Sequence, residues 1–115
     1  MSQHTSLTPE RWADFDTDQQ ILMIANEMNR TRRLLTRDDA SPRRRGYERI
    51  LRLTDLTLAT RPRTGLLREL VRWRDLVAAL YVDEDAAPAQ HRAAFRALLQ
   101  LRPVAARQIA LLMGS

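Results

Sequence analysis

The side chains best able to hold a metal or move a proton near neutral pH are the two histidines, His4 and His91. They stand at opposite ends of the sequence, and the chain has no cysteine. The usual imidazole and thiolate spacings of a zinc site therefore cannot be built, and thiolate nucleophiles and disulfides are excluded with them. His91 reads as a surface residue of a helix. Asp83-Glu84-Asp85 offers carboxylate oxygens, but the alternating ligands, central glycine and distal glutamate of a calcium loop are missing, so the run reads as a solvated loop that caps a helix. Three glycines are too few for a phosphate-cradling loop. No metal, cofactor or catalytic constellation is expected.

Charge placed among apolar residues carries more information. On a helical wheel Glu27 lies between an edge formed by Met23 and Leu34 and one formed by Ile24 and Thr31, and Arg74 lies among Leu67, Leu70 and Tyr81. Asp55 flanks Leu51 in the same manner. A Glu27, Asp55 and Arg74 cluster between helices follows. It would fix helix register by pairing, because an unpaired buried charge is costly, or it would line a polar pocket for a small charged ligand; otherwise the three groups are simply exposed.

All 19 basic residues are arginines. The net charge of +5 is concentrated between positions 30 and 52, where nine arginines face only Asp38, Asp39 and Glu48. Arg30, Arg33, Arg37, Arg43, Arg44, Arg45 and Arg49 are the candidate contacts for an anion or a nucleic acid, since the guanidinium fork matches a phosphate. Aromatic residues for stacking on bases are nearly absent there, with Tyr47 alone nearby, and no nucleic-acid-binding signature is present. A GC-rich coding sequence accounts for arginine as readily as selection for binding does.

The elements that must carry these residues are helices. Thr17 and Gln20 make a capping-box pattern, and Ile21, Ile24, Ala25, Met28 and Leu35 give one apolar face over residues 17–36. Ser41 as N-cap and Pro42 at the first helical position open a second helix running to Ala59, with Tyr47, Ile50, Leu51, Thr54 and Leu58 inward and Glu48, Arg49 and Arg52 opposite. Leu66, Leu70, Trp73, Val77, Leu80 and Tyr81 mark a third, and Phe95, Leu98 and Leu99 a fourth. Pro103 ends or kinks the fourth, leaving a short fifth helix over Val104 to Met113. The first helix turn would join the second at the arginine-rich end, so that these cations cap one end of a hairpin.

The 115 residues suit one domain, and an apolar share of 44% is ordinary for a globular chain. Residues 1–11 read as a polar, flexible leader. No apolar run is long enough for a membrane span or a secretory signal, and nothing demands an oxidising compartment, so the cytoplasm is the expected location.

Three segments, residues 20–30 (QILMIANEMNR), Glu48 to Thr57 ending in Leu53-Thr54-Asp55-Leu56-Thr57, and Leu67 to Tyr81 with Arg72-Trp73-Arg74-Asp75, resemble a group of small uncharacterised prokaryotic helical proteins. The resemblance covers roughly residues 12–100 and rests on helix-surface patterns. It implies a compact helical bundle and brings no activity with it. The HEPN helical-bundle ribonucleases have similar size and helix count, but their arginine-to-histidine motif is missing: Glu84, Asp85 and Ala86 stand where its arginine would precede His91.

The fold expected is all-α, an up-and-down bundle of four helices with a short fifth C-terminal helix. The third helix is apolar more than halfway around, through Leu67, Val71 and Ala78, with Leu22 and Leu56 extending other faces, which predicts surplus buried surface and a homodimer. The leading functional expectation is a non-enzymatic module that self-associates or docks a partner protein. The alternative is a nucleic-acid-binding accessory protein that presents the arginine cap to RNA or DNA phosphates.

Overall fold

The computed structural model describes residues 7–36, 38–62, 64–83 and 88–101. These form α1 (Pro9–Ala13), α2 (Thr17–Arg32), α3 (Ser41–Thr60), α4 (Gly65–Val82) and α5 (Pro88–Leu101), with no strand among the described residues. The fold is an all-α bundle. Short connections make neighbours antiparallel: α2 packs on α3, α3 on α4 and α4 on α5, and α5 closes the ring against α2. Side-chain pairs fix the directions, with Glu27 meeting Arg49 across α2 and α3, Glu48 meeting Tyr81 and Asp55 meeting Arg74 across α3 and α4.

Local chemistry sets the helix ends, one residue earlier than expected in two places. Asp16, not Thr17, caps α2: its carboxylate accepts from Gln19 N–H at 2.8 Å, and Gln19 Oε1 accepts from Asp16 N–H at 2.9 Å. Ala40, not Ser41, is the cap position of α3, and Asp39 supplies the missing acceptor by taking the Ser41 N–H at 2.9 Å. Thr64 caps α4 through Leu67 N–H. Helix α2 ends at Arg32, and residues 33–36 continue as a turn.

Freed from capping, Gln20 is fully buried. Its amide donates to the carbonyls of Trp12 at 2.8 Å and Phe15 at 3.2 Å, and its Oε1 accepts from Arg61 Nε at 3.3 Å. Arg61 also donates to Ala13 O at 3.3 Å and to Phe15 O. Trp12 inserts its ring into the core and donates Nε1–H to Thr57 Oγ1 at 2.8 Å. This knot holds α1 against α3, so Pro9, Glu10 and Arg11, expected in the leader, are helical; residues 1–6 lie outside the described residues.

Helix α3 serves three neighbours, α1, α2 and α4, which explains why a single inner face did not suffice for it. Leu53, Leu56 and Thr57 are buried beside Tyr47, Ile50 and Thr54, whereas Leu51 and Leu58 are only half-buried. Helices α2 and α3 approach closely at Gly46, where a Cβ would lie 2.3 Å from Thr31 Oγ1. Only glycine fits there. The expected helix over Val104 to Met113 lies outside the described residues; the short helix among them is α1, at the opposite end of the chain.

Candidate functional site

His91, expected on the surface of its helix, lies in the core. It is fully buried, because it faces inward from α5 onto α2 and α3 rather than outward to solvent. Its Nε2 lies 2.9 Å from Met28 O and its Nδ1 2.9 Å from Tyr47 Oη. A carbonyl only accepts, so Nε2 carries the proton, Nδ1 is the acceptor, and the Tyr47 hydroxyl donates to it. Burial holds the His91 pKa below its ordinary value, against the opposing Met28 hydrogen bond and with a smaller contribution from Arg32. Burial likewise pushes the Tyr47 phenol up to about 12, with Arg43 acting weakly in the other direction. Both ring nitrogens of His91 and the Tyr47 hydroxyl proton are engaged in these two hydrogen bonds, so the buried junction joins three helices.

The expected Glu27, Asp55 and Arg74 cluster divides into two separate pairs. Glu27, 4% exposed, accepts from Arg49 Nε at 3.2 Å across α2 and α3 and from Arg30 at 3.3 Å within α2. Asp55 and Arg74 meet across α3 and α4, with Nε to Oδ1 at 2.5 Å and Nη2 to Oδ2 at 3.2 Å, on a more exposed surface. The hydrogen bond that Arg74 donates to Asp55 raises the Arg74 pKa. Glu27 lies at the seam of α2 and α3 and Asp55 at the seam of α3 and α4, which a helical wheel could not register because it does not say which neighbour each face meets. Beside Asp55, a groove of about 510 Å³ runs between α3 and α4 over Leu51, Leu56 and Ala59. Its rim carboxylates are engaged, Glu48 by Tyr81 at 3.1 Å and Asp55 by Arg74.

The arginines do gather at one end, where α2 finishes and α3 begins, but several have structural work. Arg43 is buried at 8% exposure, Arg49 is half-buried against Glu27, and Arg30 pairs with the same carboxylate. Arg33, Arg44 and Arg45 are exposed, as is Arg32, which the sequence reading left out of its candidates. Arg37 lies outside the described residues.

The surface least explained by the bundle is the outer side of α4 and α5. Leu67 is buried and Leu22, Val71 and Ala78 are half-buried, so the surplus apolar arcs are taken up within the fold. Among the described residues, what remains outside is Leu76, 51% exposed, and Val82, 70% exposed. Leu76 stands between two grooves on this side. One, of about 330 Å³, is lined by Ala79, Leu80, Asp83, Gln90, Ala93 and Ala94, and the other, of about 310 Å³, by Glu69, Arg72, Trp73, Ala97, Gln100 and Leu101. The sequence held a signal for this strip: Leu76 and Ala79 fall outside the stripe of Leu70, Trp73, Val77 and Leu80 yet follow a helical spacing of their own.

Among the described residues no group of three or more histidine and carboxylate side chains is placed to hold a metal, and no helix is long and apolar enough to cross a membrane. No protein family, no curated protein and no solved structure matches the chain.

Proposed function

We propose that the protein is a non-enzymatic helical interaction module that associates with a second copy of itself through the outer side of α4 and α5. The observation that carries this reading is the exposure of Leu76 between two shallow grooves, one of them lined by Ala79, Ala93 and Ala94, with Val82 exposed one turn beyond Ala79 on the same helix, while the other large apolar side chains among the described residues are buried or half-buried. Large apolar side chains exposed beside such grooves are costly in water and are covered on association. The titratable groups set in the interior, His91, Tyr47 and Glu27, are each consumed by a structural partner, which favours assembly over chemistry. A cysteine-free chain suits a reducing compartment, and we place the protein in the cytoplasm.

Sedimentation equilibrium over a wide concentration range tests this. The weight-average mass of the native chain should rise from the 13.3 kDa of a monomer toward twice that value, and Leu76→Arg should hold it at the monomer. A native mass that stays monomeric into the high micromolar range overturns the reading.

A second reading is favoured by the exposure of Arg32, Arg33, Arg44 and Arg45 at one end of the bundle. There the protein would grip nucleic-acid phosphates without reading sequence. Fluorescence anisotropy with mixed-sequence RNA and DNA decides it: binding should weaken steeply with salt and be lost when Arg44 and Arg45 become Ser. Absence of binding at low salt would remove it.

A further inference from the structure

Arg72, Leu76, Ala79 and Asp83 follow one another at spacings of four, three and four on α4 and its C-cap, and all four are exposed. Such spacing keeps side chains in one nearly straight stripe along a helix, as in the seam of a coiled coil. Read from its start, the stripe is cation, large apolar, small apolar, anion. Turned end for end, it is its own complement.

Resting on the reading of the chain as a self-associating module, we propose that two copies dock α4 against α4 in antiparallel fashion. Leu76 of each copy seats on the partner's Ala79, and Arg72 of each lies beside the partner's Asp83. A two-fold axis makes both contacts occur twice. The small side chain of Ala79 gives the leucine a seat next to the groove formed with Ala93 and Ala94. Arg72 now rests on Glu69 at 2.9 Å, in a pair whose side chains are 77% and 52% exposed. A solvated pair of that kind is weak, so the arginine is readily redirected.

Other arrangements of the same stripe are disfavoured by charge. A parallel pairing sets Arg72 against the partner's Arg72 and Asp83 against the partner's Asp83. An antiparallel register that puts Leu76 on the partner's Leu76 brings Asp83 to the partner's Glu69. Both place like charges in contact.

The expected affinity is modest. Helix α4 has 18 residues, so at ~1.5 Å per residue it is ~27 Å long, and with α5 alongside at ~10 Å it presents roughly 500 Å² per copy. That is below the ~800 Å² per partner of a standard complex, which calls for a reversible, concentration-dependent dimer.

Because the chain has no cysteine, single introduced thiols report the register. Leu76→Cys mixed with Ala79→Cys, one of them carrying a size tag, should oxidise preferentially to the mixed dimer over either homodimer. In parallel, Arg72→Asp and Asp83→Arg should each weaken dimerisation by about tenfold, and the double reversal should restore it. All four positions are on the surface, and circular dichroism confirms that each variant is folded. A native dimer that crosslinks best as Leu76→Cys with itself, or that the double reversal fails to restore, overturns this register while self-association stands. A native chain that sediments as a monomer at every concentration overturns both.

Discussion

The imidazole of His91 on α5 and the phenol of Tyr47 on α3 meet at 2.9 Å in the interior, with the phenol donating and Nδ1 accepting, while the opposite ring nitrogen donates to Met28 on α2. One side chain thus ties the last described helix to the two that precede α4. This pattern of donors and acceptors belongs to the neutral imidazole. A proton on Nδ1 would oblige the Tyr47 hydroxyl to turn from donor to acceptor, and the charged ring would sit in the interior near Arg32.

Acid should therefore loosen the bundle in a defined window. The folded pKa of His91 lies below the ordinary 6.5, so the unfolded chain takes up a proton before the folded chain does. The histidine contributes no loss above the unfolded pKa, and stability falls as pH drops from there toward the folded pKa. Urea unfolding between neutral pH and the onset of carboxylate protonation should show this decline in the native chain. His91→Gln should be less stable overall but flat over the same interval. An equal slope in both would contradict the assignment. At the alkaline end the sign is reversed: with Tyr47 raised to about 12 from 10.0, unfolded tyrosine ionises first, and stability is lost as pH climbs from 10.0 toward 12.

The contact between Gly46 and Thr31 predicts a strongly non-additive pair of substitutions. Gly46→Ala sets a methyl 2.3 Å from Thr31 Oγ1, and overpacking of this kind costs about 1–3 kcal/mol. Thr31→Ala removes the hydroxyl, which has no hydrogen-bond partner, and the Cγ2 that crowds the same site. Combined, the two should recover most of the loss, because Ala also gains up to about 1 kcal/mol over Gly in a helix. Equilibrium unfolding of the four species measures the coupling, and simple additivity would refute the close approach.

The two charge pairs should differ in worth. Arg49→Met leaves the buried Glu27 carboxylate with a reduced set of donors and should cost about 1–3 kcal/mol, less than the ~3–5 kcal/mol of a fully enclosed pair because Arg30 remains. Asp55→Asn acts on a side chain 53% exposed, where solvent limits the loss to about 1 kcal/mol or less. Thermal denaturation in low and high salt separates them, since only the Asp55 and Arg74 pair should weaken markedly with salt. The reverse order would show that burial at Glu27 has been misjudged.

The anchoring of α1 is open to a spectroscopic check. Gln20→Ala strips the carbonyls of Trp12 and Phe15 of a donor and Arg61 of an acceptor, a loss of about 1–3 kcal/mol. In a Trp73→Phe background, where Trp12 is the sole tryptophan, its emission should shift to the red and its access to quencher should rise. Unchanged emission would mean that the ring is held by packing alone.

Periodicity made the four long helices legible, because Ile21, Ile24, Met28, Tyr47, Ile50, Leu70, Trp73, Val77, Phe95 and Leu98 all face the core as their spacing requires. What periodicity lacks is the identity of the neighbour. Leu53 and Leu56 look like the outside of a helix that packs on one partner, and they are inside because α3 packs on three. His91 and Gln20 were misjudged for a related reason: a polar side chain is at home in a core when carbonyls and hydroxyls from other helices reach it, and those are distant in sequence. The arginine-rich end was visible in composition. Which of its members are spent on Glu27 depended on where α2 and α3 cross.

The most direct test of the central claim is a concentration series of methyl NMR spectra on the native chain. The resonances of Leu76 and Val82 should move progressively as the protein is concentrated, with Ala79 following, while those of the buried Ile24 and Leu98 and of Ala40 at the arginine-rich end stay fixed. Shifts confined to the arginine-rich end, or spectra that do not change with concentration, would contradict self-association through α4 and α5.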